Sequence, residues 1–200
     1  MLMPFDSGAP IQKYRCALPH WNQDDNTYFI TFRLFDSLPA SKLTYIRQEI
    51  ATWKLLNPEP LSTIQEKEYS QRFTRKIHRW LDAGYGSCLL SNPNAAEEMQ
   101  RVLRFFDGER YTLGEFVMMP NHVHALLEPL SDFRLESILH SWKSYSAKRI
   151  NAIFQRSGRV WQRESFDHLV RSPEQLAKIK TYIRNNPRIT RLHDASGVFP

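Results

Sequence analysis

The stretch MPNHVHALLEP, from Met119 to Pro129, carries two histidines one residue apart inside an apolar run. Alternate side chains of a strand leave on the same face, so His122 and His124 project together while Val123 points the other way, into a core. Two neutral imidazoles converging from a rigid strand form half of a metal site. The spacing alone is a weak signal, because two separately hydrogen-bonded histidines on a half-exposed strand look the same. A second candidate lies in SPEQLAKIKTYIRNNP. At about 100° per residue Leu176, Ile179 and Ile183 form one apolar stripe. Tyr182 and Asn186 stand one turn apart beside it, along the rim of the core. Taken singly, the tyrosine reads as an amphipathic packing residue and Asn186, before Pro187, as a helix terminator.

The elements that must position these groups can be read from periodicity and punctuation. NTYFITFRL, from Asn26 to Leu34, is rich in β-branched and aromatic residues and predicts a strand. Pro39 marks a helix start, and Leu43, Ile46, Ile50 and Trp53 recur at helical spacing. Further helices are predicted over Leu61 to Leu81 and over 94–106, the latter with Met99, Val102, Leu103 and Phe106 as its stripe. The runs YTLGEFVMM and HVHALLE flank MPN as a hairpin or as one long kinked strand. A helix from Leu135 to about Phe154, broken by Gly158, and a short strand in FDHLVRS follow. The last helix opens at Ser172-Pro173 with Gln175 at its third position, an N-terminal signature, and ends before Pro187. Residues 1–25 read as an irregular lead-in and 192–200 as a tail, so 1–200 is expected to be one catalytic domain. Strands interleaved with helices predict an α+β fold: a two-layer α/β sandwich with a mainly antiparallel central sheet carrying the H-x-H strand.

An apolar fraction of 42% and five tryptophans are enough for a core without disulfides or structural metal. Cys16 and Cys88 are far apart and form no C-x-x-C pair, as expected of a reduced cytosolic chain. The opening MLMPFDSGAP lacks a basic region and an apolar region, so no signal peptide is expected. No apolar run approaches the ~20 residues of a membrane helix. The net charge is +6, but between Ser141 and Arg191 twelve Lys or Arg face three acidic residues. That segment carries +9 and the remainder sums to −3. A basic segment on a mildly acidic protein predicts a polyanion-binding face, although a solvated helical surface has the same composition.

MPNHVH followed by TYIRNNP resembles the HUH single-strand transposases with one catalytic tyrosine, and in particular the REP-associated tyrosine transposase branch. SILHSWKSYSAKRIN, GRVWQRESFDHLVR and TYFITFRLFDSLP read like that branch as well, so the resemblance spans roughly residues 26–190. It implies a ferredoxin-like sheet with H-x-H on a central strand and the tyrosine on a helix near it. It further implies His122 and His124 as metal ligands, Tyr182 as the nucleophile and Asn186 as the third ligand. Glutamine can take that last place in insertion-sequence relatives. Imidazole ligands by themselves suit zinc. The resemblance instead implies Mg²⁺ or Mn²⁺, and as partner single-stranded or hairpin DNA.

Each residue type has a physical reason in such chemistry. A phosphodiester repels nucleophiles by its own charge, which a divalent cation neutralises. A phenol, with a pKa near 10, leaves more readily than an alkoxide, so a phosphotyrosine link is reversible and strand transfer needs no ATP. Lys143, Lys148, Arg149, Arg156, Arg159 and Arg163 are interleaved with Trp142, Tyr145, Phe154 and Trp161, as single-stranded nucleic acid binding requires. Lys178, one turn before Tyr182, is expected near the scissile phosphate. The expected enzyme is therefore a monomeric or homodimeric nickase and strand transferase, cytoplasmic and associated with the nucleoid through DNA. Two other readings compete with it. One is a domesticated repeat-binding protein with little catalysis; the other is a zinc hydrolase, for which no third histidine or carboxylate stands at a convincing spacing.

Overall fold

The computed structural model describes residues 12–15, 19–22, 26–58, 60–130, 132–186 and 198–199. The strand expected over Asn26 to Leu34 forms as Tyr28–Arg33. It is preceded by two short strands, β1 (Gln12–Arg15) and β2 (Pro19–Asn22), which pair antiparallel with each other. Part of the lead-in expected to be irregular is thus a hairpin. Its proline stands at the first residue of β2, where a missing N–H is tolerated. Tyr28–Arg33 is β3, and after it come β4 (Tyr111–Met119), β5 (His122–Pro129) and β6 (Phe166–Leu169). The two-residue strand Val198–Phe199, β7, adds to the edge of β4, so part of the expected tail is also paired. The sheet order is β6-β3-β5-β4-β7, with every pairing antiparallel.

The question left open around MPN is answered in favour of a hairpin. β4 and β5 pair from Met119–His122 outward, with a register shift between Leu113 and Phe116. β5 therefore lies between β3 and β4, and all eight of its residues are buried. Its alternating side chains meet two different environments. Val123, Ala125 and Leu127 join the large core with Tyr28, Ile30 and Phe32 of β3. Two helices cover this face, α4 (Pro93–Arg104) through Met99 and Leu103 and α5 (Leu135–Ile153) through Ile138 and Trp142. His122, His124 and Leu126 face the opposite way. There Leu126, Val117 and Met119 pack under α6 (Pro173–Asn185), through Ile183 with Leu176, Ile179 and Tyr182 alongside.

α6 starts as its residues dictate. The Ser172 hydroxyl accepts the Gln175 N–H, the Gln175 side chain accepts the Arg171 N–H, and Pro173 occupies the first turn. The single helix expected over Leu61 to Leu81 is instead three joined pieces: α2 (Thr63–Tyr69), a π-helical turn over Ser70–Thr74, and α3 (Arg75–Asp82). Such a widened turn resets the phase of a helix. Phe73, Ile77 and Leu81 then pack as a second core with Ile46 and Trp53 of α1 (Ala40–Leu56). This leaves His78 and Asp82, one turn apart, on a different side of α3.

Candidate active site

The β3–β5 register sets Thr31 opposite His124 and Arg33 opposite His122. The Nε2 atoms of the two histidines converge to 3.0 Å, and each Nδ1 has its own partner. His122 Nδ1 lies 2.7 Å from Asn121 Oδ1, and His124 Nδ1 lies 2.7 Å from Thr31 Oγ1. Asn121 sits in the β4–β5 turn, and its Nδ2 donates to the Tyr85 carbonyl. That orients Oδ1 toward His122, so His122 Nδ1 is the donor and its Nε2 presents a bare lone pair. The Thr31 hydroxyl can donate or accept, so His124 is free to do the same. Both rings are fully buried, and Phe29 stacks on His124 at 5.4 Å between centroids. Burial pushes the His122 imidazole down to about 3, with His78 adding a smaller effect, and holds His124 well below the ordinary range. Both are neutral near pH 7, the form that can ligate a cation.

Two helices close the site. From α6 the Tyr182 hydroxyl reaches 3.2 Å from His124 Nε2. Burial raises the phenol to about 12, with the nearby Asp82 carboxylate acting in the same direction and the Asn186 amide against it. Asn186 caps α6, donating its backbone N–H to the Ile183 carbonyl. Lys180 and Arg184 flank the tyrosine and anchor the helix to buried Glu115 of β4. Arg184 donates to both Glu115 oxygens, at 2.9 and 2.6 Å. From α3, the Asp82 carboxylate stands 3.7 Å from His122 Nε2, and its own pKa is raised by burial. Asp82, His122 and His124 offer ligand atoms within 4.8 Å of one another. His78 stacks against Tyr182 and meets His124 edge-on.

Sequence reasoning missed the α3 contribution, and it discounted a carboxylate because none stood at a recognisable ligand spacing. The signal was present but faint: His78 and Asp82 are an i, i+4 pair beside the stripe of Phe73, Ile77 and Leu81. Their approach to β5 is a tertiary event that spacing does not encode.

The expected basic face is not assembled as one surface. Lys148 and Arg149 lie on α5, across the sheet from the histidines. Arg149 is paired with Glu98 of α4. The Lys143 ammonium donates to the carbonyls of Gln162 and Arg163. Arg159 lies over the Phe35 ring, while Arg163 and Lys178 are exposed. Trp142 and Trp161 are core residues and Phe154 packs on that core, whereas Tyr145 stays 57% exposed. His168 is exposed on β6 and bonded to the Gln175 side chain.

The geometry can be set beside known proteins. The model of the family described as Transposase IS200 like matches residues 68–186, more than half of the chain and inclusive of α3, H-x-H and α6. The chain belongs to this family. A protein of Haemophilus influenzae is 27% identical over 113 residues, which cover 44% of this chain. The match covers 59% of that relative's length. Among solved structures, a REP-associated tyrosine transposase bound to a REP hairpin overlaps at a TM-score of 0.40 and 16% identity, over 88% of this chain and 72% of its own. A candidate transposase from Deinococcus radiodurans overlaps at 0.38 and 16%, over 92% and 98%. Neither overlap is close enough to transfer a site or a substrate. In this member of the family, no helix among the described residues is long and apolar enough to cross a membrane.

Proposed function

We propose that this chain is a tyrosine-dependent transposase that nicks and rejoins single-stranded, hairpin-forming repeat DNA through a covalent 5′-phosphotyrosine. The observation that carries the reading is the Tyr182 hydroxyl 3.2 Å from His124 Nε2, in the same pocket where two imidazoles and the Asp82 carboxylate converge. A divalent cation fits these residues. The two imidazole Nε2 atoms converge on one place, and Asp82 Oδ1 is buried there without a hydrogen-bond partner. His122, His124 and Asp82 would hold it, with the Asn186 amide as a further donor from the tyrosine helix. Carboxylate, amide and phosphate oxygens in that set favour Mg²⁺ or Mn²⁺ over zinc. When bound, the cation supplies positive charge against a non-bridging phosphate oxygen.

The chain's own residues supply the rest. The Tyr182 oxygen forms a bond to phosphorus as the bond to the 3′-oxygen breaks, releasing a 3′-hydroxyl. The phenolic proton leaves to solvent. In the reverse sense a 3′-hydroxyl attacks the phosphotyrosine and restores the phenol, one P–O bond being exchanged for another. With the phenol raised to about 12, little phenolate exists at neutral pH until positive charge arrives. Lys178, exposed one turn before Tyr182, would contact the DNA backbone.

The test uses labelled hairpin oligonucleotides bearing unpaired flanks, with Mg²⁺ or Mn²⁺. The expected result is a covalent protein–DNA adduct that disappears on chelation and in Tyr182→Phe. An adduct that survives Tyr182→Phe overturns the assignment. Tight hairpin binding with no adduct under either cation would instead identify a non-catalytic repeat binder.

A further inference from the structure

Arg33 is 8% exposed, yet no carboxylate lies within ion-pairing distance of it among the described residues. Its Nη1 donates to the Ser37 hydroxyl, a neutral partner that satisfies one of its five N–H donors. A buried guanidinium is costly unless paired, so one left with a single serine calls for an explanation. Its location narrows the choice. Arg33 is the residue of β3 directly opposite His122, and on an antiparallel pair opposite residues share a face. Lys143 reaches the same end of the sheet from α5: its ammonium donates to the Gln162 carbonyl, whose own residue donates its N–H to the Arg33 carbonyl. Arg47 of α1 adds further positive charge nearby. Glu164 and Asp167 offset the pair only at longer range. This end of the sheet thus gathers three cations, and among the described residues no carboxylate stands within ion-pairing distance of Arg33.

We propose that Arg33, supported by Lys143, is an oxyanion seat for a backbone phosphate of the DNA strand, next to the phosphate presented at His122 and His124. The assignment rests on the proposed strand-transfer function and names how its substrate is held. A guanidinium suits the task because its planar fork can take two phosphate oxygens while remaining charged. Arg33 would therefore act as a positioning residue that sets the register of the strand. In the free protein the same buried cation costs stability, because its direct partner is a neutral serine and Glu164 acts only from farther away.

The experiment measures the affinity of the full chain for a labelled hairpin with an unpaired flank across a salt series, alongside thermal melting. Arg33→Met is expected to lose about tenfold in affinity and to shrink the salt slope by roughly 0.7, the value of one single-strand phosphate contact. Its melting temperature is expected to stay level or rise, since an uncompensated buried charge has been removed. A merely structural arginine gives the reverse pattern: lower melting temperature with affinity and slope unchanged, which overturns the proposal. Should Arg33→Met fail to fold, Arg33→Lys decides. The retained charge should keep the slope while the lost fork weakens binding several-fold, and unaltered affinity overturns the seat. Wild-type protein that binds DNA but never forms an adduct defeats the catalytic reading and leaves the salt test intact. Wild-type protein that forms the adduct while Arg33 variants bind normally defeats the seat alone.

Discussion

Under α4 and α5, the polar atoms of the buried core aromatics are matched: Trp142 Nε1 donates to the Tyr111 hydroxyl, which donates to the Leu103 carbonyl, and Trp161 Nε1 donates to Ser146 Oγ. Under α6 and α3, on the other face of the same sheet, His78 Nε2, Asp82 Oδ1 and Asn186 Nδ2 are buried without partners. One face holds the fold with apolar surface and satisfied hydrogen bonds. The other leaves polar groups unsatisfied around Tyr182, where a cation and a phosphate would complete them. Stability and chemistry are thus separated by the thickness of one sheet, and substitutions on the two faces should fail in different ways.

The largest contrast is Tyr182→Phe. It should abolish adduct formation while leaving stability within ~1 kcal/mol, because only one hydroxyl hydrogen bond is lost; gel-shifted adduct and denaturant midpoint measure the two sides. Trp142→Ala should do the opposite, costing about 3–5 kcal/mol by emptying a buried aromatic volume. Adduct yield per folded molecule should persist in that variant, as judged by urea unfolding and active-site titration. A Trp142 variant that folds normally but cannot form adduct would break the comparison.

Acid should undo the face that carries the candidate site selectively. His78 is lowered to about 4 by burial and His122 to about 3, each from 6.5, so both are neutral in the fold while their unfolded counterparts protonate. Stability from them is present above pH 6.5 and is lost as pH falls below it. The loss runs at up to about 1.4 kcal/mol per pH unit for each histidine until its folded pKa is reached. Asp82, raised by burial, works weakly in the opposite direction at the acid end. Melting curves between pH 8 and pH 4 test this, and a flat profile would contradict neutral buried histidines. Smaller still, Glu115→Gln should cost about 1–3 kcal/mol by weakening the grip on Arg184. It should slow adduct formation by loosening α6. Arg149→Ala, an exposed change across the sheet from the site, should alter neither melting temperature nor adduct rate.

Much of the site could be read from the chain because its parts are local. H-x-H needs only the period of a strand to bring two imidazoles together, and Tyr182 with Asn186 needs only one helical turn. The capping residues Ser172 and Gln175 announced where the tyrosine helix begins. The entry of Val123 into the large core, on the face opposite the histidines, likewise followed from strand period alone. Charge was a poorer guide. A run of cations is contiguous in sequence, but α5 and α6 lie on opposite faces of the sheet, and several of its members are tied to Glu98, Glu115 or backbone carbonyls.

Sequence by itself therefore determined the pair of histidines, the tyrosine helix and the α+β class, since each rests on contacts within a few residues. Only the tertiary structure decided that Asp82 and His78 complete the pocket and that Arg33 stands opposite His122 without an ionic partner among the described residues. Those relations depend on a π-helical turn that rephases α3 and on a strand register across some ninety residues of chain. The physical reason is that local periodicity specifies which face a side chain leaves from. What it then meets depends on the other elements, and for the H-x-H face those are β3, α3 and α6. MPNHVH determined two nitrogens on one face, and the packing around them determined that they meet a phenol and a carboxylate there, with Arg33 opposite His122 in the strand register.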